Sequence, residues 1–108
     1  MDAANKRQAA LIACYETICN TSELMLEAAQ NADWKTVERG ERVCGQLALA
    51  ARELGDSREV LDAHGRRARL EILLRVLKAD SRIRNLRDPW LVSVEGYVGR
   101  RSKRRNDG

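Results

Sequence analysis

The chain has 108 residues, with one proline, no phenylalanine and a formal net charge of +4 at pH 7. A chain of this length forms one domain, and its many alanine, leucine, arginine and glutamate residues favour helices over strands or disorder. It contains no run of about 20 uncharged apolar residues and no apolar core of a secretory signal, so we expect a cytoplasmic protein without membrane insertion.

The positive charge is concentrated at the C-terminal end. Residues 100–108 carry five basic side chains against one acidic side chain, whereas residues 1–99 are neutral overall. We therefore expect a single helical domain over 1–99, followed by a basic disordered tail over 100–108. A bound polyanion would be sought at this tail first.

The first helix is predicted over about residues 3–30. One stripe of residues, spaced by three and four, would face the core, while the opposite face is polar. The stripe consists of Leu11, Tyr15, Ile18, Ser22, Met25 and Ala29.

The second helix is predicted over about residues 33–54. Asp33 can cap it, because its carboxylate can accept hydrogen bonds from free amide groups of the first turn, and Gly55 favours its end. Its buried stripe consists of Val37, Gly40, Cys44, Leu47, Ala51 and Leu54. Three small residues would allow another helix to approach closely: Gly40, Gly45 and Ala48.

The third helix is predicted over about residues 57–87. Gly65 has a low helix propensity, so it marks the position of a possible break in this helix. One stripe runs from Ile72 to Trp90, and the segment 70–77 adds a second apolar strip. The segment is thus apolar over more than the roughly 100° that a helix in a three-helix bundle buries, so it requires another covering element.

The covering element is predicted to be a short fourth helix over about residues 89–98. Asp88 would cap it and Pro89 would occupy its first turn, which proline tolerates well. The sequence therefore predicts an all-α fold, namely an antiparallel three-helix bundle with a short C-terminal fourth helix folded over it.

Catalytic machinery is not evident. His64 is the only histidine, and it is interpreted as an exposed, idle side chain. The three cysteines form no C-x-x-C pair and are interpreted as free buried thiols, so no metal, cofactor or enzymatic activity is predicted. The charges around Arg82, Arg84 and Arg87 indicate a solvated helix face, with a polar contact surface beside the fourth helix as the alternative.

Three segments resemble the FliT family of flagellar export chaperones: LIACYETICNTSELMLEAAQNADWKTVERGE, EILLRVLKADSRIRNLRDPW and LVSVEGYV. The resemblance implies a small helical bundle whose C-terminal helix folds back over an apolar surface. It also implies a chaperone for the flagellar filament-cap protein that holds the C-terminal helical segment of that protein until export. Further partners implied by the family are the flagellar export ATPase and, in some bacteria, the flagellar master transcriptional regulator.

The predicted mechanism is helix-in-groove binding between the second and third helices, where the client replaces the fourth helix. Each groove residue has ordinary core packing as its alternative interpretation. The predicted groove residues are Val37, Cys44, Leu47, Leu70, Leu73, Leu74 and Leu77. The predicted autoinhibitory cover consists of Trp90, Leu91, Val94 and Val98.

Two alternatives remain open at this point. The run RRSKRR could bind nucleic acid through its phosphates, although no helix-turn-helix with a basic recognition face is evident. The wide apolar stripe could equally be covered by a second copy of the chain in a homodimer.

Overall fold

A computed structural model of the chain describes residues 2–88. Within this range every regular element is an α-helix, as predicted. The helices are α1 (Asp2–Gln30), α2 (Trp34–Glu53), α3 (Ser57–Val60) and α4 (Ala63–Arg87). The predicted fourth helix over 89–98 and the predicted tail over 100–108 lie outside the described residues.

The turn between α1 and α2 ends one helix and begins the next within three residues. Ala32 has φ 58°, and its N–H donates to the Ala29 carbonyl while the Asp33 N–H donates to the Ala28 carbonyl. This pair of hydrogen bonds is the Schellman arrangement, which satisfies free carbonyls at a helix end. The Asp33 carboxylate then accepts from the Thr36 N–H, so the predicted cap of α2 is confirmed.

Helix α1 lies in the middle of the molecule and packs against each of the other helices. Helix α2 runs antiparallel to it, since Gly40 lies against Met25 near one end of α1 and Ala51 clusters with Leu11 near the other. Helix α4 runs parallel to α1. Helices α2 and α4 do not make with each other the close packing that each of them makes with α1.

The predicted helix over 57–87 is wrong in its continuity, because Leu61 and Asp62 separate α3 from α4. Asp62 caps α4 by accepting from the Gly65 N–H over 2.7 Å, and its own N–H donates to Gln8 Oε1 over 2.7 Å. Gly65 is therefore part of the first turn of α4 and not a break. A Cβ atom at Gly65 would lie 2.6 Å from Gln8 Oε1, so any other residue there would require the Gln8 side chain to shift.

Within residues 2–88, two clusters of buried residues lie along α1. One joins Met25 and Ala29 of α1 to Val37 of α2 and Ile83 of α4. The other consists of Leu11, Ala51 and Leu61. The predicted stripe of α1 thus supplies apolar contacts to both flanking helices. Because α2 and α4 are each packed against α1, their positions do not depend on contacts with each other.

Candidate functional site

The separation of α2 from α4 leaves an open cleft of about 570 Å³ with α1 as its floor. We call it the α2/α4 cleft. It is open to solvent, and apolar side chains from all three long helices reach it. Its lining residues are Tyr15, Ile18, Ala48, Ala51, Arg52, Gly55, Asp56, Ser57 and Leu73.

The side of the cleft that α2 forms has short side chains. Ala48 and Ala51 are the α2 residues with apolar side chains in the lining. Gly45, one turn before Ala48, has no atom within 4 Å of the position that a Cβ would occupy. Of the three small residues predicted to allow close helix approach, Gly40 does so within α1–α2 packing, whereas Gly45 borders open space.

Tyr15 is fixed at the floor of the cleft by Arg69 of α4. The Arg69 Nε–H donates to the Tyr15 hydroxyl over 3.2 Å, and the Arg69 guanidinium carbon lies 5.4 Å from the centre of the tyrosine ring. Both residues are half-buried. A hydrogen bond and a cation–π contact thus hold the aromatic ring in one orientation at the cleft.

A second pair of contacts joins α4 to α2 where α4 ends. Arg87 Nη2 donates to Glu41 Oε1 over 2.7 Å, and the guanidinium carbon of Arg87 lies 5.4 Å from the centre of the Trp34 ring. These residues and Glu38 line a hollow of about 280 Å³. The hydrogen bond to Glu41 raises the pKa of the Arg87 guanidinium further above its usual value. Arg87 is therefore a contact residue and not part of a purely solvated face.

The predicted groove residues do not line one surface. Leu73 lines the α2/α4 cleft. Leu70, Leu74 and Leu77 are 57%, 57% and 63% exposed. Their spacing places them on one strip of α4 beside Leu73, which agrees with the expectation that this segment needs a further covering element.

The three predicted groove residues of α2 lie deeper. Val37 is fully buried in the core, where it packs as an ordinary core residue, which was the alternative interpretation. Cys44 is half-buried with its Sγ 3.9 Å from the Ile18 carbonyl oxygen, and Leu47 is half-buried outside the cleft lining. The predicted cover residues Trp90, Leu91, Val94 and Val98 lie outside the described residues.

Sequence reasoning missed several cleft residues. Tyr15 and Ile18 were predicted only as part of the buried stripe of α1, because periodicity marks an apolar face without showing how much of it a neighbour covers. Ala48 had been noted for its small size, whereas Arg52 and the residues that follow α2 carried no signal. Trp34 lies within the range predicted for the second helix, but its contact with Arg87 could not be inferred from their separation in the chain.

Two thiols among the described residues have a shifted pKa. Burial raises the pKa of the Cys19 and Cys44 thiols, which keeps both protonated and poorly nucleophilic near neutral pH. His64 is exposed. Residues 2–88 contain no group of three histidine, cysteine or acidic side chains that could hold a metal ion. None of the helices described is both long enough and apolar enough to cross a membrane.

The chain was also compared with known protein families. A family model described as flagellar protein FliT matches residues 12–106. The chain belongs to the FliT family of flagellar export chaperones. No curated protein and no solved structure matches the chain.

The FliT match confirms the family resemblance predicted from the sequence and identifies a flagellar protein. The matched region contains every residue that lines the α2/α4 cleft. FliT proteins are a family of flagellar chaperones.

Proposed function

We propose that this FliT protein binds the C-terminal helical segment of the flagellar filament-cap protein in the α2/α4 cleft and holds it in the cytosol until export. One observation carries the proposal. Helices α2 and α4 each pack closely against α1, but they do not pack closely against each other. An amphipathic client helix could take the open position and contact both walls and the floor.

The apolar surface beside the cleft supports this use. Leu70, Leu74 and Leu77 are all more than half exposed, and they adjoin Leu73 in the cleft lining. Covering one such leucine contributes about 1 to 2 kcal/mol, because roughly 25 cal/mol is gained for each Å² of apolar surface removed from water. A client helix that covers this strip and enters the cleft would therefore gain much of its binding free energy from apolar burial.

The segment 89–98 is proposed as the cover of the same surface when no client is bound. Its apolar residues Trp90, Leu91, Val94 and Val98 follow directly on the end of α4, where Arg87 contacts α2. A client would then compete with a tethered segment of the chaperone itself. Its apparent affinity would be reduced by the fraction of molecules in which the surface is uncovered.

The further partners remain predictions from the family. They are the flagellar export ATPase and the flagellar master transcriptional regulator. The α2/α4 cleft alone does not distinguish between them, so the client experiment is the primary test.

Calorimetric titration of the C-terminal segment of the cap protein into this chain, at two salt concentrations, tests the proposal. We expect stoichiometric binding that changes little with salt, because the contacts are mainly apolar. Leu73→Glu and Leu77→Glu should each weaken binding at least about tenfold, since each places a charge on the contact surface. Leu24→Glu is the matched control, as Leu24 is 64% exposed on α1 outside the cleft lining, and it should bind as the unaltered chain does.

A chain that ends at Arg87 tests the cover separately. If segment 89–98 competes with the client, this truncated chain should bind more tightly, provided that its circular dichroism remains helical. A folded truncated chain that binds no more tightly would overturn the gating mechanism while leaving client binding in place. Absence of binding by both chains would overturn the proposed function itself.

A further inference from the structure

A second cleft, of about 250 Å³, lies between α1 and α4. We call it the α1/α4 cleft. It shares no lining residue with the α2/α4 cleft. Its lining residues are Glu23, Leu26, Arg75, Lys78, Ala79 and Arg82.

The α1/α4 cleft carries a local excess of positive charge. Arg75, Lys78 and Arg82 are spaced by three and four residues along α4, so their side chains project along one side of the helix. Glu23 is the one acidic residue of the lining, and it is already paired with Arg75. Among residues 2–88, Lys78 and Arg82 form no ion pair.

This arrangement is unfavourable for the isolated helix. Lys78 and Arg82 are separated by four residues, and like charges at this spacing repel each other on an exposed helix surface. Residues 1–99 are neutral overall, so composition alone does not explain the accumulation. An anion placed between these two side chains would remove the repulsion and gain two charge-assisted hydrogen bonds.

The floor of the cleft distinguishes between the anions that could bind. Leu26 is half-buried and Ala79 is buried, so an apolar patch lies beneath the basic side chains. A nucleic-acid backbone would present phosphates without an apolar group to match this patch. A protein segment with both carboxylates and an apolar side chain complements the charge and the floor together.

We propose that the α1/α4 cleft is a docking site for an acidic amphipathic segment of a partner protein. Carboxylates of the segment pair with Lys78 and Arg82, and an apolar side chain of the segment rests on Leu26 and Ala79. The site is separate from the one proposed for the cap protein, so its existence does not depend on that function. It would allow a second protein to bind while the α2/α4 cleft is occupied.

Fluorescence anisotropy with the full-length chain tests the proposal with a defined probe. The probe is a short synthetic helical peptide with glutamates four residues apart and leucines on the adjoining positions, labelled at one end. Its counterpart with glutamine in place of glutamate has the same shape without the charge. We expect the acidic peptide to bind, and the neutral peptide to bind about two- to thirtyfold more weakly, since two exposed ion pairs are lost.

Variants of the chain locate the binding. Lys78→Glu with Arg82→Glu should weaken binding of the acidic peptide at least about tenfold. Arg42→Glu with Arg84→Glu is the control, because these exposed residues lie outside the cleft and the net charge changes equally. Lys78→Gln with Arg82→Gln removes the attraction without adding repulsion, and should give a smaller loss in the same direction.

Three results would overturn the proposal. Equal weakening by the cleft pair and the control pair would attribute binding to net charge. Unchanged binding by the cleft pair would place the peptide elsewhere, for example on the basic residues 100–105. Equally effective competition by a short oligothymidine of the same charge would show that the surface selects anions in general and not an acidic protein segment.

Discussion

The guanidinium of Arg87, at the end of α4, donates to the carboxylate of Glu41 in α2 over 2.7 Å. The same guanidinium lies 5.4 Å from the centre of the Trp34 ring, also in α2. Helices α2 and α4 are otherwise held mainly through α1, so these contacts join the two helices directly, outside the lining of the α2/α4 cleft. Arg87 is the last residue of α4, and only Asp88 separates it from the segment 89–98.

Replacement of Arg87 by alanine should lower the free energy of unfolding by about 1 kcal/mol. An exposed ion pair contributes about 0.2 to 1 kcal/mol, and a cation–π contact at an exposed site contributes about 0.5 to 1 kcal/mol. Urea denaturation followed by circular dichroism measures the loss. Arg84→Ala is the control, because Arg84 lies in the same last turn of α4 and has the same charge. Equal losses in the two variants would show that the contacts with α2 do not contribute.

Replacement of Gly40 by alanine should destabilise the protein, whereas the same change at Gly45 should not. A Cβ at Gly40 would lie 2.3 Å from Met25 Cγ and 2.6 Å from Met25 Sδ, and Met25 is buried. Forcing a methyl group into this packing costs about 1 to 3 kcal/mol. Gly45 faces open space, so alanine there should add up to about 1 kcal/mol through its better helix propensity.

Urea denaturation of both glycine variants under identical conditions measures this difference. Since the two changes add the same methyl group to the same helix, opposite signs are attributable to packing against α1. Destabilisation of both variants, or of neither, would contradict the close approach of α1 and α2 at Gly40.

The extent to which the sequence predicted this structure differs between its parts. The predicted ends of α1 and α2 each lie within one residue of the observed ends. The apolar stripes, the Asp33 cap and Gly55 all indicate the same boundaries. The prediction that a break would lie at Gly65 was wrong. Its low helix propensity suggested a break, but the break is determined by the capping bonds of Asp62, which involve Gln8 from a distant part of the chain.

The cleft was predictable only in part. The apolar excess around Leu70 to Leu77 correctly indicated a surface that the described helices do not cover. A hydrophobic stripe does not show which neighbour it meets, so the burial of Val37 in the core and the role of Tyr15 at the cleft floor could not be assigned in advance. The contact of Arg87 with Glu41 depends on the tertiary arrangement, and helical periodicity contains no information about it.

Two capping aspartates should make the stability of the protein depend on pH in the acid range. Hydrogen bonds from the Thr36 side chain and backbone lower the pKa of Asp33. Hydrogen bonds from the Gly65 N–H and then from Gln8 lower the pKa of Asp62. A carboxylate with a lowered pKa stabilises the folded state above its unfolded pKa of about 3.9, and this contribution is lost as the pH falls through the folded value.

Denaturation curves measured from neutral pH down to about pH 2 test this dependence. The free energy of unfolding should decrease on acidification, and Asp33→Asn with Asp62→Asn should reduce the decrease, because asparagine keeps a capping oxygen but does not titrate. Asp80→Asn on the exposed surface of α4 is the control. A pH profile that the double variant leaves unchanged would contradict the contribution of the two caps.

Leu61 provides the sharpest test of the break between α3 and α4. It has an extended conformation between the two helices, and its side chain is buried with Leu11 and Ala51. Leu61→Ala should therefore lower the free energy of unfolding by about 2 to 5 kcal/mol, the usual cost of removing a buried leucine side chain. Leu49→Ala is the control, since Leu49 is 59% exposed on α2 and alanine is a good helix former there, so little change is expected. Urea denaturation of both variants measures the difference. A large loss only for Leu61→Ala agrees with burial of this side chain between the two helices, whereas equal small losses in both variants would contradict it.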